Sequence, residues 1–356
     1  MGKRLMRVGG WRLKVGARAE YLQPAAYCLL FLLLPPFFIG CNQDGSGTDA
    51  ATSNSPALPP LPATPLFNPD SAYAFVQKQV DFGPRVPGTP QHTACADWMV
   101  AKLKGYGAHV IEQRATVKAF NGKELPLRNI IARFDTAAKE RILLLAHYDT
   151  RPFADKDKER PHEPILGAND GGSGVGILLE IASHLGSKKH GPGIDLLFTD
   201  VEDYGQPSGA ITVDEQSIDT WALGSQYFAK NPHVPGYAAR FGILLDMCGA
   251  KDARFYREAI SMQFAAGIVN KVWRTAATIG HGDRFVTESK YFVGTDDHLA
   301  INQRLRIPTI DIIEFHEATN AFHPSWHTHA DNMEVIDPAT LKAVGQTVLE
   351  TIWKER

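Results

Sequence analysis

The chain has 356 residues, of which 44% are hydrophobic and 21% charged, and its formal net charge is -2 at pH 7. These values are typical of a globular protein and give no support for nucleic-acid binding, which needs a concentrated basic face. Residues 70–356 are numerous enough to bury one substantial hydrophobic core.

The first 41 residues have the pattern of an export signal. A basic stretch precedes the apolar run 25–39, which contains two prolines and is too short for a comfortable membrane span. The run ends in Phe38-Ile39-Gly40-Cys41, similar to the lipobox of bacterial lipoproteins, although Phe38 stands where Leu is usual. We therefore expect a periplasmic or cell-surface lipoprotein whose only membrane contact is a lipid on Cys41. Secretion without a lipid and an uncleaved anchor are the alternatives.

Residues 42–69 are rich in Ser, Thr, Ala, Pro and Asn and lack hydrophobic periodicity. They predict a disordered tether before a single domain at 70–356. Of the four cysteines, only Cys95 and Cys248 fall in that domain. We expect them to be buried free thiols, with a disulfide between them as the alternative.

Asn68-Pro69 supplies a capping side chain and a first-turn proline for a helix over 70–80, and a second helix follows the loop 82–90 and ends near 103. Beyond it, apolar strand patterns alternate with helical ones. The predicted strands are 108–118, 127–134, 141–147, 194–199, 241–246 and 308–314, and the later helices are 174–186, 221–230, 260–279 and 338–353. This alternation predicts one α/β domain with a central mixed, mostly parallel sheet flanked by helices on both faces. The hairpin spacing of the first two strands predicts an antiparallel edge.

Acidic residues and histidines follow the strands of this predicted sheet. They are His147 and Asp149, then Asp200, Glu202 and Asp203, then Asp246, and finally His327, His329 and Asp331, while Asn169 and Asp170 precede a glycine-rich helix start. No cluster is decisive alone: Asp170 would also serve as a helix cap, and adjacent acids are common in solvated turns. Asp246 is harder to explain by structure alone, because it follows five apolar residues and an unpaired buried carboxylate is costly. Ligands bind at the carboxyl ends of parallel strands, so the clusters together predict a zinc site of imidazole and carboxylate.

The order of these motifs resembles that of the zinc aminopeptidase superfamily, which includes the animal-type glutaminyl cyclases. The resemblance extends from about residue 70 to the C-terminus, through the motifs His-x-Asp at 147, Asn-Asp-Gly-x-Ser-Gly at 169, the acidic pair at 202, Asp246, and His-Thr-x-x-Asp at 327. It implies that the principal zinc is bound by Asp170, Asp203 and His327. It also implies that Glu202 is the general acid and base.

Two of these assignments have alternatives, and a second metal site is implied in part of the superfamily. Asp203 stands where Glu is usual, so its shorter side chain needs a shifted backbone or a different binding mode. His329 is the rival of His327, which is preferred because it occupies the His-Thr-x-x-Asp position. In the dinuclear peptidases, residues at the positions of His147 and Asp246 complete a second metal site.

Two segments, 202–205 and 221–227, look most like those of bacterial cyclases. Three others are more similar to the cyclases than to the peptidases. They are Thr295-Asp296-Asp297-His298-Leu299, the strand end 244–250, and Trp326 directly before the ligand histidine. The resemblance implies catalytic roles for Asp246 and Asp296, hydrogen-bonded to each other, and a substrate pocket walled by Trp326, Trp221 and Phe322. The simpler alternatives are core positions for the tryptophans and a turn made by Asp296 and Asp297 with His298 as its capping partner.

The activity implied is that of a glutaminyl-peptide cyclotransferase, a zinc-dependent acyltransferase. It would convert the N-terminal glutamine of peptides or proteins to pyroglutamate with release of ammonia, using one zinc ion, or two if the second site is filled. A dinuclear zinc aminopeptidase of the same fold is the main alternative, and a catalytically dead binding domain is another. We expect a monomer.

Overall fold

In the computed structural model, which describes residues 61–188, 191–207 and 220–356, the first helix begins where the sequence predicts. The side chain of Asn68 accepts two amide hydrogens of the first turn of α1, Pro69–Asp81. The export segment and most of the tether lie outside the described residues. The end of the predicted tether is nevertheless packed: the amide of Phe67 donates to Gln346 at 2.8 Å, and its buried ring lies against Gly345. The boundary predicted at residue 70 is therefore a few residues late.

The described chain forms seven α-helices and eight strands. After α1, the helices are α2 Pro90–Gly105, α3 Gly172–Leu185, α4 Leu223–Lys230, α5 Ala259–Thr278, α6 Asp297–Ala300 and α7 Pro338–Trp353. The strands are β1 His109–Lys118, β2 Glu124–Phe134, β3 Arg141–His147, β4 Gly193–Thr199, β5 Gly242–Asp246, β6 Phe255–Glu258, β7 Phe285–Lys290 and β8 Thr309–Ile313.

Six strands form one sheet in the order β1-β2-β4-β3-β5-β8. β3 pairs in parallel with β4 and β5, and β5 pairs in parallel with β8. β2 is antiparallel to both of its neighbours, β1 and β4. The predicted fold class is confirmed, and so is the antiparallel edge.

The four parallel strands are buried along their whole length because helices cover both faces of the sheet. Apolar residues of α1, α2, α3, α5 and α7 share one core, and residues of α4 and of the turn after α6 belong to the core on the other face. α3 lies so close to β5 that a Cβ on Gly174 would fall 2.1 Å from the carbonyl oxygen of Leu245. This contact fixes the start of α3 at the carboxyl edge of the sheet.

β6 and β7 were not predicted from the sequence. They pair in parallel with each other, outside the six-stranded sheet. β6 has only four residues, and β7 leaves most of its side chains at least partly exposed, so neither gives a clear apolar pattern.

Cys95 and Cys248 are both buried and free, as expected. Within the described ranges, no helix combines the length and apolarity needed to cross a membrane.

Candidate active site

The carboxyl ends of β3, β4, β5 and β8 deliver the predicted site residues to one edge of the sheet. The sequence predicts ten site residues. Nine of them line a cavity of about 340 Å³, together with residues 292–295 and two apolar side chains. The nine are Asp170, Glu202, Asp203, Trp221, Asp246, Asp296, Phe322, Trp326 and His327. The tenth, His147, does not line the cavity, but it contacts Asp170 and Asp246, which do. The sequence motifs thus converge as expected.

Asp170, Asp203 and His327 place one ligand atom each within 4.8 Å of one another. His327 Nε2 lies 3.3 Å from Asp203 Oδ1 and 3.8 Å from Asp170 Oδ2. Oδ2 of both aspartates is buried without a hydrogen-bond partner in the described structure. Burial and the charge of Asp203 raise the pKa of Asp170 to about 6. Two unpaired carboxylate oxygens beside an imidazole fit a zinc ion, which would neutralise their repulsion.

His327, and not His329, is at this cluster. The ring of His329 is turned away, and its Nδ1 lies 2.8 Å from Asp157 Oδ2. His327 itself has a left-handed backbone with φ 57°, an uncommon conformation for a residue with a side chain. This turn points its Nε2 towards Asp203.

Asp149 holds the backbone that carries the general acid/base candidate and a metal-ligand candidate. Its Oδ1 accepts the amide hydrogen of Glu202 at 3.0 Å, and its Oδ2 accepts that of Asp203 at 3.1 Å. The preceding Val201 has φ 55°, a strained value for a β-branched residue. A buried carboxylate with two amide donors offsets that strain and draws the short side chain of Asp203 into the cluster.

Asp331 holds the backbone that carries Asp170, the other metal-ligand candidate among the aspartates. It accepts the amide hydrogens of Asn169 at 2.8 Å and of Asp170 at 3.0 Å. Burial, followed by the charge of Asp170, raises the pKa of Asp331 to about 7. Asp149 and Asp331 both stand within the predicted motifs, but the sequence pattern assigns neither a role. The signal available in the sequence was that each is the last residue of a histidine motif, His-x-Asp or His-Thr-x-x-Asp.

Arg151 and Asp155 support the site from a loop that carries no motif. Arg151 is fully buried and donates from Nη1 to the carbonyl oxygens of Asp203 at 3.0 Å and Gly205 at 3.2 Å. Its Nε donates to Asp155 Oδ1 at 2.6 Å, and the same oxygen lies 3.0 Å from His327 Nδ1. A carboxylate on the far nitrogen fixes the ring of a metal-binding histidine and raises its basicity. Neither residue could be found from sequence spacing.

His147 lies between two carboxylates. Its Nε2 is 3.1 Å from Asp170 Oδ1 and 3.2 Å from Asp246 Oδ1. Burial lowers the pKa of His147, but hydrogen bonds to Asp149, Asp170 and Asp246 outweigh it and raise the pKa well above its ordinary value. His147, Asp170 and Asp246 also place one ligand atom each within 4.8 Å of one another, which is the geometry of the second metal position of a dinuclear site.

Asp296 lies beside Asp311, with one carboxyl oxygen of each within 4.8 Å of the other, and its expected hydrogen bond to Asp246 stays a prediction. Burial raises the pKa of Asp296 well above its ordinary value, and the charges of Asp246 and Asp297 raise it further. Burial and the neighbouring Asp296 raise the pKa of Asp311 in the same way. Close carboxyl groups of this kind share a proton. Asp296 also caps α6 by accepting the amide hydrogen of Asp297 at 2.5 Å, so the turn role and the pocket role coexist.

Aromatic rings line the cavity beside Asp170, Asp203 and His327. The ring of Trp326 lies 3.8 Å from that of His327 at 27°, and the ring of Trp221 lies 5.9 Å from it at 10°. Phe322 packs on Trp326 at 4.6 Å. A Cβ on Gly205 would fall 1.9 Å from the Trp221 ring, so only glycine permits this close approach. The tryptophans are therefore pocket walls, not residues of the two main cores.

The model of peptidase family M28 matches residues 129–352, more than half of the chain. The chain belongs to peptidase family M28. Its matched region begins in β2 and contains every residue of the candidate site.

Solved structures similar to this member of family M28 include a glutaminyl cyclase and a Zn-dependent exopeptidase. A Bacteroides thetaiotaomicron glutaminyl cyclase bound to N-acetylhistamine is 50% identical, with a TM-score of 0.80 over 83% of this chain and 100% of that one. A Zn-dependent exopeptidase from Parabacteroides distasonis is 49% identical, with a TM-score of 0.79 over 82% and 100%. Among curated proteins, the glutaminyl-peptide cyclotransferase of Drosophila melanogaster is 27% identical over 72% of this chain and 73% of its own length.

Proposed function

We propose that the protein is a zinc-dependent glutaminyl-peptide cyclotransferase, which converts an N-terminal glutamine to pyroglutamate and releases ammonia. The observation that carries the proposal is the buried Asp296 in the pocket wall, with its raised pKa, close to the metal-ligand cluster. Hydrolysis by a metal-activated water has no evident need for this further carboxyl group. The 50% identity to a glutaminyl cyclase over that protein's full length supports the same conclusion.

Asp170, Asp203 and His327 are the residues that would hold the zinc ion. Bound there, zinc would supply Lewis-acid polarisation of the side-chain amide carbonyl. We propose one zinc per active site, because Asp170, Asp203 and His327 all line the cavity, whereas His147, which a second ion needs, does not. Zinc content of the purified chain would test this number.

Glu202 is the proposed proton carrier. The reaction forms a bond between the α-amine nitrogen and the side-chain carbonyl carbon, and it breaks the bond from that carbon to the amide nitrogen. Glu202 accepts a proton from the attacking amine and returns it to the departing nitrogen, which leaves as ammonia. Burial raises the pKa of Glu202 well above its ordinary value, with Asp296 and Asp203 adding to the rise, and a raised pKa suits a group that must both take and give a proton.

Asp296 and Asp246 are proposed to stabilise the leaving nitrogen. Both line the pocket, and burial raises the pKa of Asp296 well above its ordinary value, which favours the protonated form. A protonated carboxyl donates a hydrogen bond, and an ionised one accepts it, so the group can serve the amide nitrogen before and after it gains a proton. The walls formed by Trp221 and Trp326 would hold the short glutamine side chain near its own amine and exclude water.

The same site keeps the full ligand set of a dinuclear peptidase, which makes an aminopeptidase the second candidate. The two activities differ in their products. With a Gln-initiated peptide, we expect one ammonia per pyroglutamyl peptide and no shortened peptide. With a Leu-initiated peptide of otherwise identical sequence, we expect no reaction. Release of a free amino acid from either peptide would instead establish the aminopeptidase.

We also propose that the protein is exported and anchored by a lipid on Cys41. The basic stretch, the apolar run and the lipobox-like ending support this location. Cys41→Ala should move the protein from the membrane fraction to the soluble one. An unchanged distribution would contradict the anchor.

A further inference from the structure

Three side chains outside the active-site pocket form a second cluster of metal-ligand type. Glu314, His316 and His323 each place one ligand atom within 4.8 Å of the other two. None of the three lines the active-site cavity. They belong to the loop that leads from β8 to Trp326 and His327.

Glu314 needs a partner that the described protein does not supply. It is 2% exposed, and its Oε2 has no hydrogen-bond partner in the described ranges. Burial alone raises its pKa to about 8, with no contribution from a neighbouring positive charge. Buried polar groups are nearly always paired, and buried charges are paired or bind metals. An unpaired carboxyl beside two imidazoles therefore points to a missing cation.

The loop brings the two imidazoles together. The amide of His316 donates to the carbonyl oxygen of Ala321 at 2.8 Å, which closes the loop and returns the chain towards β8. The rings of His316 and His323 are 5.5 Å apart with their planes at 86°, as expected of two ligands that approach one ion from different sides. His316 Nδ1 is buried without a hydrogen-bond partner in the described structure.

Ser325 holds the ring of His323 in place. Burial and the neighbouring His316 lower the pKa of His323. Its Nδ1 lies 2.7 Å from the hydroxyl oxygen of Ser325 and accepts the amide hydrogen of Ser325 at 3.2 Å. These two contacts fix the orientation of the ring, and a hydrogen bond at the far ring nitrogen is typical of metal-binding histidines.

We propose that Glu314, His316 and His323 bind a divalent transition metal, best matched by zinc, at a site separate from the active-site cluster. Two imidazoles and one carboxylate suit zinc better than magnesium or calcium, and three protein ligands leave a fourth position for water. The two histidines are only partly buried, which gives the ion a path of entry. A metal here ties the start of the loop to its middle and so steadies Phe322, the neighbour of His323, in the pocket wall.

Zinc stoichiometry tests the proposal independently of the reaction. The chain and its variants are dialysed against buffered Zn²⁺, and zinc per chain is measured by plasma mass spectrometry. Glu314→Gln preserves shape and replaces the carboxyl ligand by an amide, so it should not harm folding. We expect it to lower the count by one ion, both in the otherwise unchanged chain and in the Asp170→Asn chain, whose active-site cluster is disabled.

His323→Gln should remove the same ion, and His109→Gln, on the exposed start of β1, should remove none. Zinc should also slow amide hydrogen exchange of residues 315–325 in the unchanged chain but not in Glu314→Gln. An equal zinc count in the unchanged, Glu314→Gln and His323→Gln chains would overturn the proposal. So would a loss of zinc in His109→Gln equal to that in Glu314→Gln.

Discussion

Asp149→Asn should damage activity more than its effect on stability explains. The carboxylate accepts the amide hydrogens of Glu202 and Asp203 at 3.0 and 3.1 Å, one on each oxygen. Asparagine keeps one acceptor oxygen and turns an amide donor towards the other N–H. One buried N–H then loses its partner, which costs about 1–3 kcal/mol of stability. The displaced backbone carries the proposed proton carrier and a proposed metal ligand, so a loss of kcat/KM of tenfold or more, about 1.4 kcal/mol per factor of ten, should accompany it.

The matched control is Asp195→Asn. Asp195 is buried near the opposite end of β4 and accepts hydrogen bonds from Arg141 at 2.8 Å and Tyr237 at 3.0 Å. Its amide variant should lose at least as much stability, because Asp195 also pairs with Arg133, while kcat/KM stays within about twofold because Asp195 is remote from the pocket. Urea denaturation and ammonia release from a Gln-initiated peptide measure the two quantities. If Asp149→Asn behaves like Asp195→Asn in both assays, the positioning role of Asp149 is refuted.

Three further predictions concern the proton carrier, the pocket wall and a buried histidine. Glu202→Gln should lower kcat by about 10²–10⁴-fold while zinc content stays unchanged, and retained turnover would remove Glu202 as the proton carrier. Gly205→Ala should raise KM for a Gln-initiated peptide, since its Cβ would fall 1.9 Å from the Trp221 ring; an unchanged KM would show that this wall does not contact substrate. His233 has no hydrogen-bond partner for either ring nitrogen in the described structure, and burial lowers its pKa to about 4. Because the unfolded chain binds the proton more tightly, the stability from neutral His233 is present above about pH 6.5 and lost as the pH falls towards 4. In His233→Phe, urea midpoints at pH 7 and pH 5 should therefore differ less than in the unchanged chain, and an equal difference would contradict this role.

The sequence predicted the six-stranded sheet because its strands give strong local signals. β3, β4, β5 and β8 are short, almost uninterrupted apolar runs, and the helices between them are long. β6 and β7 gave no such signal, since their pairing depends on contacts between segments far apart in the chain. The packed end of the tether was missed for the same reason, because Phe67 is ordered by Gln346 near the C-terminus.

The candidate metal ligands were predictable because they follow strands whose ends must meet. Asp170, Asp203 and His327 all reached one cluster. The residues that hold them were not predictable, since Arg151 and Asp155 act across loop contacts that no spacing encodes. The place of Asp311 beside Asp296 was not predictable, because Asp311 looks like an ordinary strand residue until the sheet is assembled.

The central claim is tested most directly by a Gln-initiated peptide whose side-chain amide is labelled with ¹⁵N. The zinc-loaded protein should release that label as ammonia, in equal amount to a pyroglutamyl peptide, and no free amino acid should form. Appearance of free glutamine that still carries the label, beside a shortened peptide, would contradict the cyclase and establish a peptidase.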